Sequence, residues 1–321
     1  MWYHFSMTNL GLIVKNNPAF VEVSAQAKND ALRHAYLFLS PDKLVLKQLC
    51  LSVVELILND DVKVKSGTHP DFVFVGGDKN LKVEDVAFIA SDVFSTPLEG
   101  DKKVILILDA SAMTADAQNK LLKTIEEPPA HAIIILGASN EKALLPTILS
   151  RVNKIEVPVL TEAQIESILC DEGVADDLAA LVASCAGGNL TRAKELAGES
   201  DFSELFNLCV ESFSLNSSRE ILTYLSKINV SKMDLVEFFD LSVALARDLL
   251  MIISGNKGGI FNRHVLGELE RVSGGVNYAS LTRIVDLALG AKKDLAFYAN
   301  AQAVLDEYIL KMVEVKVSCR K

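Results

Sequence analysis

From Arg33 to Val159, short uninterrupted apolar runs alternate with longer stretches whose apolar residues recur at helical spacing. Ala35-Tyr36-Leu37-Phe38-Leu39 and Phe72-Val73-Phe74-Val75 read as buried strands, as do Lys103 to Leu108, Ala132 to Leu136 and Lys154 to Val157. Between them fall helices over about Pro41 to Leu58, Val83 to Thr96 and from Thr114 to Pro128. Thr114 is placed to cap the last of these, Asp116 suits its first turn, and Pro128-Pro129 stops it. Strands that are apolar on both faces and separated by helices predict a parallel sheet covered on both sides.

After Pro158 the strand pattern ends. Thr161-Glu162-Ala163-Gln164 is a capping box, followed by Ile165, Ile168 and Leu169 on one helical face. A second helix carries Leu178, Leu181 and Val182 and ends at Gly187-Gly188, and a third runs from about Leu190 to Ala197. From about Phe202 to Val317 the chain is helix after helix, joined by polar or glycine-rich links such as Asn216-Ser217-Ser218 and Ser273-Gly274-Gly275. The fold class predicted is α/β followed by all-α: a parallel-sheet base over residues 1–158, a three-helix unit over 159–200 and a helical domain over 201–321. For the first 25 or so residues neither periodicity nor resemblance decides the structure, and an atypical entry strand is one option.

Composition narrows the function classes. Of 321 residues half are apolar, 23% are charged and 7% aromatic, which suits aliphatic cores in two or three domains. The formal net charge of −10 opposes a phosphate backbone and argues against a stand-alone nucleic-acid binder. Met1 to Met7 lacks a basic and apolar leader pattern, and no apolar run approaches the ~20 residues that span a bilayer, so a cytoplasmic protein with no membrane partner is expected. Five cysteines stand far apart without a Cys-x-x-Cys pair, which supports neither a disulfide framework nor zinc.

A parallel sheet followed by a small helical unit is the arrangement of AAA+ nucleotide-handling proteins, which directs attention to a phosphate loop. Such a loop needs small residues so that backbone N–H groups can wrap phosphates, and a lysine to neutralise them. In its place stands Ser40-Pro41-Asp42-Lys43-Leu44-Val45-Leu46-Lys47. Lys43, Val45 and Leu46 occupy the positions of glycine, glycine and lysine, and only Lys43 or Lys47 remains to touch an anion. The acidic pair that would hold Mg²⁺ and polarise water is reduced to Asp109, with Ser111 at the second position. Two losses in one site predict that this chain neither binds nor hydrolyses ATP.

The run Asp116 to Pro129, an aliphatic strand, and then Leu144-Leu145-Pro146-Thr147-Ile148-Leu149-Ser150-Arg151 resemble the bacterial clamp-loader AAA+ family of DNA polymerase III. His69-Pro70-Asp71, Lys82-Val83, Thr96-Pro97-Leu98-Glu99-Gly100 and Lys103-Val104 fall where that family places similar residues. The degenerate phosphate loop and Leu108-Asp109-Ala110-Ser111 resemble its non-hydrolysing delta-prime branch. The resemblance implies a rigid subunit that helps load a sliding clamp on primed DNA, with Ser150-Arg151 acting as an arginine finger in trans. It implies gamma/tau motor subunits and a clamp-opening delta subunit as partners, indirect or weak clamp contact, and DNA contact mainly through the complex. Many relatives carry a four-cysteine zinc module after the first helix; Asn59 to Thr68 has no cysteine, so zinc is not carried over. Two alternatives stay open: an ATP-hydrolysing gamma/tau-like motor paralogue, or a degenerate AAA+ scaffold of another replication or repair complex. Glu126-Glu127 reads as a helix terminus, Arg192 as an ion-pairing residue, and the five histidines as structural.

Overall fold

A computed structural model describes residues 9–76, 92–199, 201–230, 233–256, 260, 265–297 and 300–318. Most of the predicted helix from Val83 to Thr96, together with Lys82-Val83, His4, His264 and Cys319, lies outside the described residues. The chain divides into two compact units, Met1–Gly173 with Gly188–Arg192, and Val174–Gly187 with Ala193–Lys321.

The first unit is built on five strands: β1 (Ala35–Leu39), β2 (Phe72–Val75), β3 (Lys103–Ile107), β4 (Ala132–Ala138) and β5 (Asn153–Glu156). They are ordered β2-β3-β4-β1-β5, and every neighbouring pair is parallel. β3 and β4 are buried along their whole length, which is why they read in sequence as unbroken apolar runs. The helix Lys43–Leu58 lies against β1, β3 and β4, and the core includes Leu37, Ile105, Ile107, Ile134 and Leu136 with Leu121 and Ile125 of the helix Ala115–Glu126. Thr114 caps that helix as expected, its oxygen accepting from Ala117 N.

The leading segment, which the sequence left undecided, is helical rather than a strand. Asn9–Lys15 and Pro18–Lys28 are helices that pack against Lys43–Leu58. Asn17 caps the second by accepting from Ala19 N, and Pro18 at the first helical position needs no N–H partner. The capping box at Thr161 is present in both directions and starts the helix Glu162–Asp171, which lies within the first unit.

The second unit is helical among the described residues, with Asp176–Cys185, the greater part of Leu190–Gly198, and then Phe202–Ser214, Ser218–Lys227, Leu235–Ile253, Leu266–Ser273, Tyr278–Ala296 and Ala301–Ser318. Phe238, Phe239 and Tyr308 meet edge to face with ring centroids 5.0 to 6.3 Å apart, a packed aromatic core. Burial pushes the Cys209 thiol up to about 12 and raises that of Cys50 in the first unit, so both behave as core residues. No described helix is long and apolar enough to cross a membrane.

Candidate functional site

In an open parallel sheet, ligands bind beyond the carboxyl ends of the strands. Leu39 lies opposite Ala138 and Ile107 opposite Leu136, so β1, β3 and β4 end together and carry Ser40 to Lys47, Asp109 to Ser111 and Ser139-Asn140 to one edge. The N-terminus of Lys43–Leu58 opens there, and its N–H groups would ordinarily attract an anion. They are already taken. Asp42 Oδ1 accepts from Leu44 N at 3.0 Å and Val45 N at 3.2 Å. The same carboxylate accepts from Thr191 Oγ1 at 2.8 Å and Leu190 N at 2.5 Å, while Leu44 N also reaches Thr191 Oγ1 at 3.2 Å.

Ser40 Oγ accepts from Asp42 N at 3.1 Å, and Asn189 Nδ2 donates to Pro41 O. Asp42 is 1% exposed, so its negative charge sits inside the cradle. Val45 and Leu46 are buried, and a Cβ on Gly137 of β4 would meet Leu46 Cγ at 3.4 Å. Leu46 therefore packs over the end of β4 where a phosphate-neutralising lysine would extend. Lys43 and Lys47 are exposed at the helix surface.

The acidic half of the edge is equally altered. Asp109 adopts a left-handed backbone (φ 55°) and makes no capping bond. Ser111 Oγ accepts from Ser139 N at 3.2 Å and Asn140 N at 3.1 Å and donates to Asn140 O at 3.3 Å, so the hydroxyl braces the turn after β4. It carries no charge with which to polarise water.

Ser150 and Arg151 lie elsewhere. They follow the helix Pro146–Leu149 and precede β5, whose first residue, Asn153, is opposite Tyr36 near the start of β1. Because the strands are parallel, Arg151 stands at the amino edge of the sheet, across from the degenerate phosphate loop. It is exposed, with Nη1 donating to Thr147 O and Ser150 Oγ at 3.0 Å each and Nε paired with Glu126 Oε1 at 2.9 Å. An arginine at this edge stands away from its own chain's phosphate-loop position.

The chain is similar to known proteins. Residues 15–161 match the family described as DNA polymerase III, delta subunit. The DNA polymerase III subunit delta' of Bacillus subtilis is 26% identical over 263 residues, 78% of this chain and 78% of its own. That of Pseudomonas aeruginosa is 37% identical over 89 residues, 27% of each chain. Over these stretches the chain is similar to subunits of the DNA polymerase III clamp-loader family. The DNA polymerase III subunit tau of Salmonella typhimurium is 32% identical over 143 residues, 43% of this chain and 22% of that protein.

Other motif residues turn out to be braces. Asp71 accepts from the N–H groups of Leu98 (2.6 Å), Glu99 (2.9 Å) and Gly100 (3.0 Å), and its own N–H donates to His69 Nδ1. Gln118, 2% exposed, donates to Met113 O and Ala143 O and accepts from Leu145 N at 2.8 Å, which fixes the approach to Pro146–Leu149 and hence to Arg151. Neither Gln118 nor the Asp42 and Glu126 partnerships is evident from sequence. Asp42 did carry one signal, an aspartate at a helix start, but its partners at Leu190 and Thr191 lie far along the chain. Among the described residues no cluster of three or more His, Cys, Asp or Glu is arranged to hold a metal ion.

Proposed function

We propose that this chain is a delta-prime-type clamp-loader subunit that neither binds nor hydrolyses ATP and presents Ser150-Arg151 to ATP held by an adjoining gamma/tau motor subunit. The observation that carries the reading is the Asp42 carboxylate, which occupies the helix N–H donors a phosphate would need. A second negative charge at that buried place would meet repulsion and no lysine, because Leu46 fills the position. The finger reading draws on the opposite edge. A guanidinium in trans can bridge phosphate oxygens and neutralise charge that develops in phosphoryl transfer, an effect worth ~10³–10⁵ in rate elsewhere.

The remaining parts follow from the same reading. The clamp-opening delta subunit joins the motor subunits as a partner, clamp contact is indirect or weak, DNA is met mainly through the complex, and no zinc is held. Titration of the isolated chain with Mg·ATP tests the first half, and no saturable binding below millimolar concentration is expected. Micromolar affinity would return the chain to the motor class. Arg151→Ala tests the second half: the protein folds and assembles normally, while ATP turnover by the assembled loader falls by at least tenfold. Unchanged turnover would remove the finger.

A further inference from the structure

Arg151 reaches the surface with its guanidinium already held. Nε pairs with Glu126 at 2.9 Å, Nη1 is engaged by Thr147 O and Ser150 Oγ, and Nη2 has no partner among the described residues. Glu126 is the last residue of the helix Ala115–Glu126, at the end where exposed carbonyls disfavour an anion. Nothing local to that helix accounts for a carboxylate there. What accounts for it is the crossing chain: the helix carries Glu126 back to the amino edge just before β4, and the next crossover brings Arg151 to the same edge just before β5.

We infer that Glu126 is a positioning residue for Arg151. The inference rests on the reading of Arg151 as a finger. An arginine has many rotamers, and a guanidinium that must reach phosphate in one orientation gains rate when its plane is fixed beforehand. Glu126 fixes the Nε end and Thr147 with Ser150 engages Nη1, which leaves Nη2 as the group offered to phosphate oxygens. The side chains of Arg151 and Glu126 are 40% and 43% exposed, so the pair adds little to stability, and its effect is on orientation.

The test uses the loader assembled with its motor and delta subunits, carrying this chain as wild type, Glu126→Ala, Glu126→Gln, Arg151→Ala or the double alanine variant. ATP turnover is resolved into kcat and KM, with assembly verified by gel filtration. Glu126→Ala is expected to lower kcat about three- to tenfold without changing KM. Glu126→Gln keeps an oxygen for Nε and restores most of the rate, and the double variant is no slower than Arg151→Ala alone. Wild-type turnover for Arg151→Ala removes the finger itself. A slow Arg151→Ala beside a Glu126→Ala at or above the wild-type rate overturns only the role of Glu126. A glutamine variant as slow as alanine, or a double variant slower than Arg151→Ala, overturns it too, since each gives Glu126 work other than holding Nε.

Discussion

Asp71 shows how one carboxylate organises a motif whose residues are separated by more than twenty positions. Burial alone would push its pKa up, but the N–H groups of Leu98, Glu99 and Gly100 and the nearby His69 outweigh burial and hold it below the ordinary carboxylate value. A group whose native pKa is depressed adds stability that is fully present above the unfolded value of about 3.9 and is lost as pH falls through the native value. Asp71→Asn is therefore expected to destabilise the protein at pH 7 by about 1.5–3 kcal/mol, the range for hydrogen bonds to a charged group. It should also flatten the decline in stability below pH 4. Urea denaturation of both proteins at pH 7, 4 and 3 measures this, and equal losses between pH 7 and 3 would show that the carboxylate charge contributes nothing. The same residue-scale economy is seen at Ser111, where one hydroxyl braces the turn after β4.

At the scale of elements, Asp42 serves two segments at once. It is the N-cap of Lys43–Leu58, and it anchors Leu190 and Thr191. Asp42→Ala removes a cap worth about 1 kcal/mol and leaves buried donors at Leu190 N and Thr191 Oγ unpaired at about 1–3 kcal/mol. A loss of about 2–4 kcal/mol in unfolding free energy is expected, with faster amide exchange at Leu44, Val45 and Leu190. A loss well under 1 kcal/mol in chemical denaturation would show that the carboxylate is peripheral. Sequence made the helix and the missing phosphate loop legible because both depend on neighbours within a few positions. It could not show the pairing of Asp42 with Thr191, nor that of Glu126 with Arg151, because those distances are set by crossovers of the sheet. β1, β3 and β4 were legible for a related reason: burial along nearly their whole length leaves runs of Val, Ile, Leu and Phe with few polar interruptions. The helices Asn9–Lys15 and Pro18–Lys28 bury only Leu10, Val14, Ala19, Phe20 and Val23, too few for a clear period, although Asn17-Pro18 was a readable start signal.

For the whole molecule the decisive quantity is charge. A chain of net −10 must offset long-range repulsion before it can neutralise a phosphate backbone, and DNA affinity grows with each phosphate met by a cation that releases counterions. Several cations here are committed to carboxylates of their own chain: Lys63 to Glu99, Lys103 to Asp92, Lys154 to Glu141, Lys227 to Glu211 and Lys292 to Asp240. Each would have to give up its partner to meet a phosphate. The isolated chain is therefore expected to show no saturable binding to a primed template at 150 mM salt up to about 10 μM, weaker than the usual non-specific range at its tight end. Because repulsion between exposed charges is screened over about 8 Å at that salt, lowering the salt to 50 mM strengthens it and gives no rescue. Fluorescence anisotropy with the chain alone, and then within the assembled loader, separates the two sources of DNA affinity. Binding by the chain alone that tightens steeply as salt is lowered would reveal a local basic surface strong enough to overcome the net charge, and DNA contact would then belong to this subunit directly.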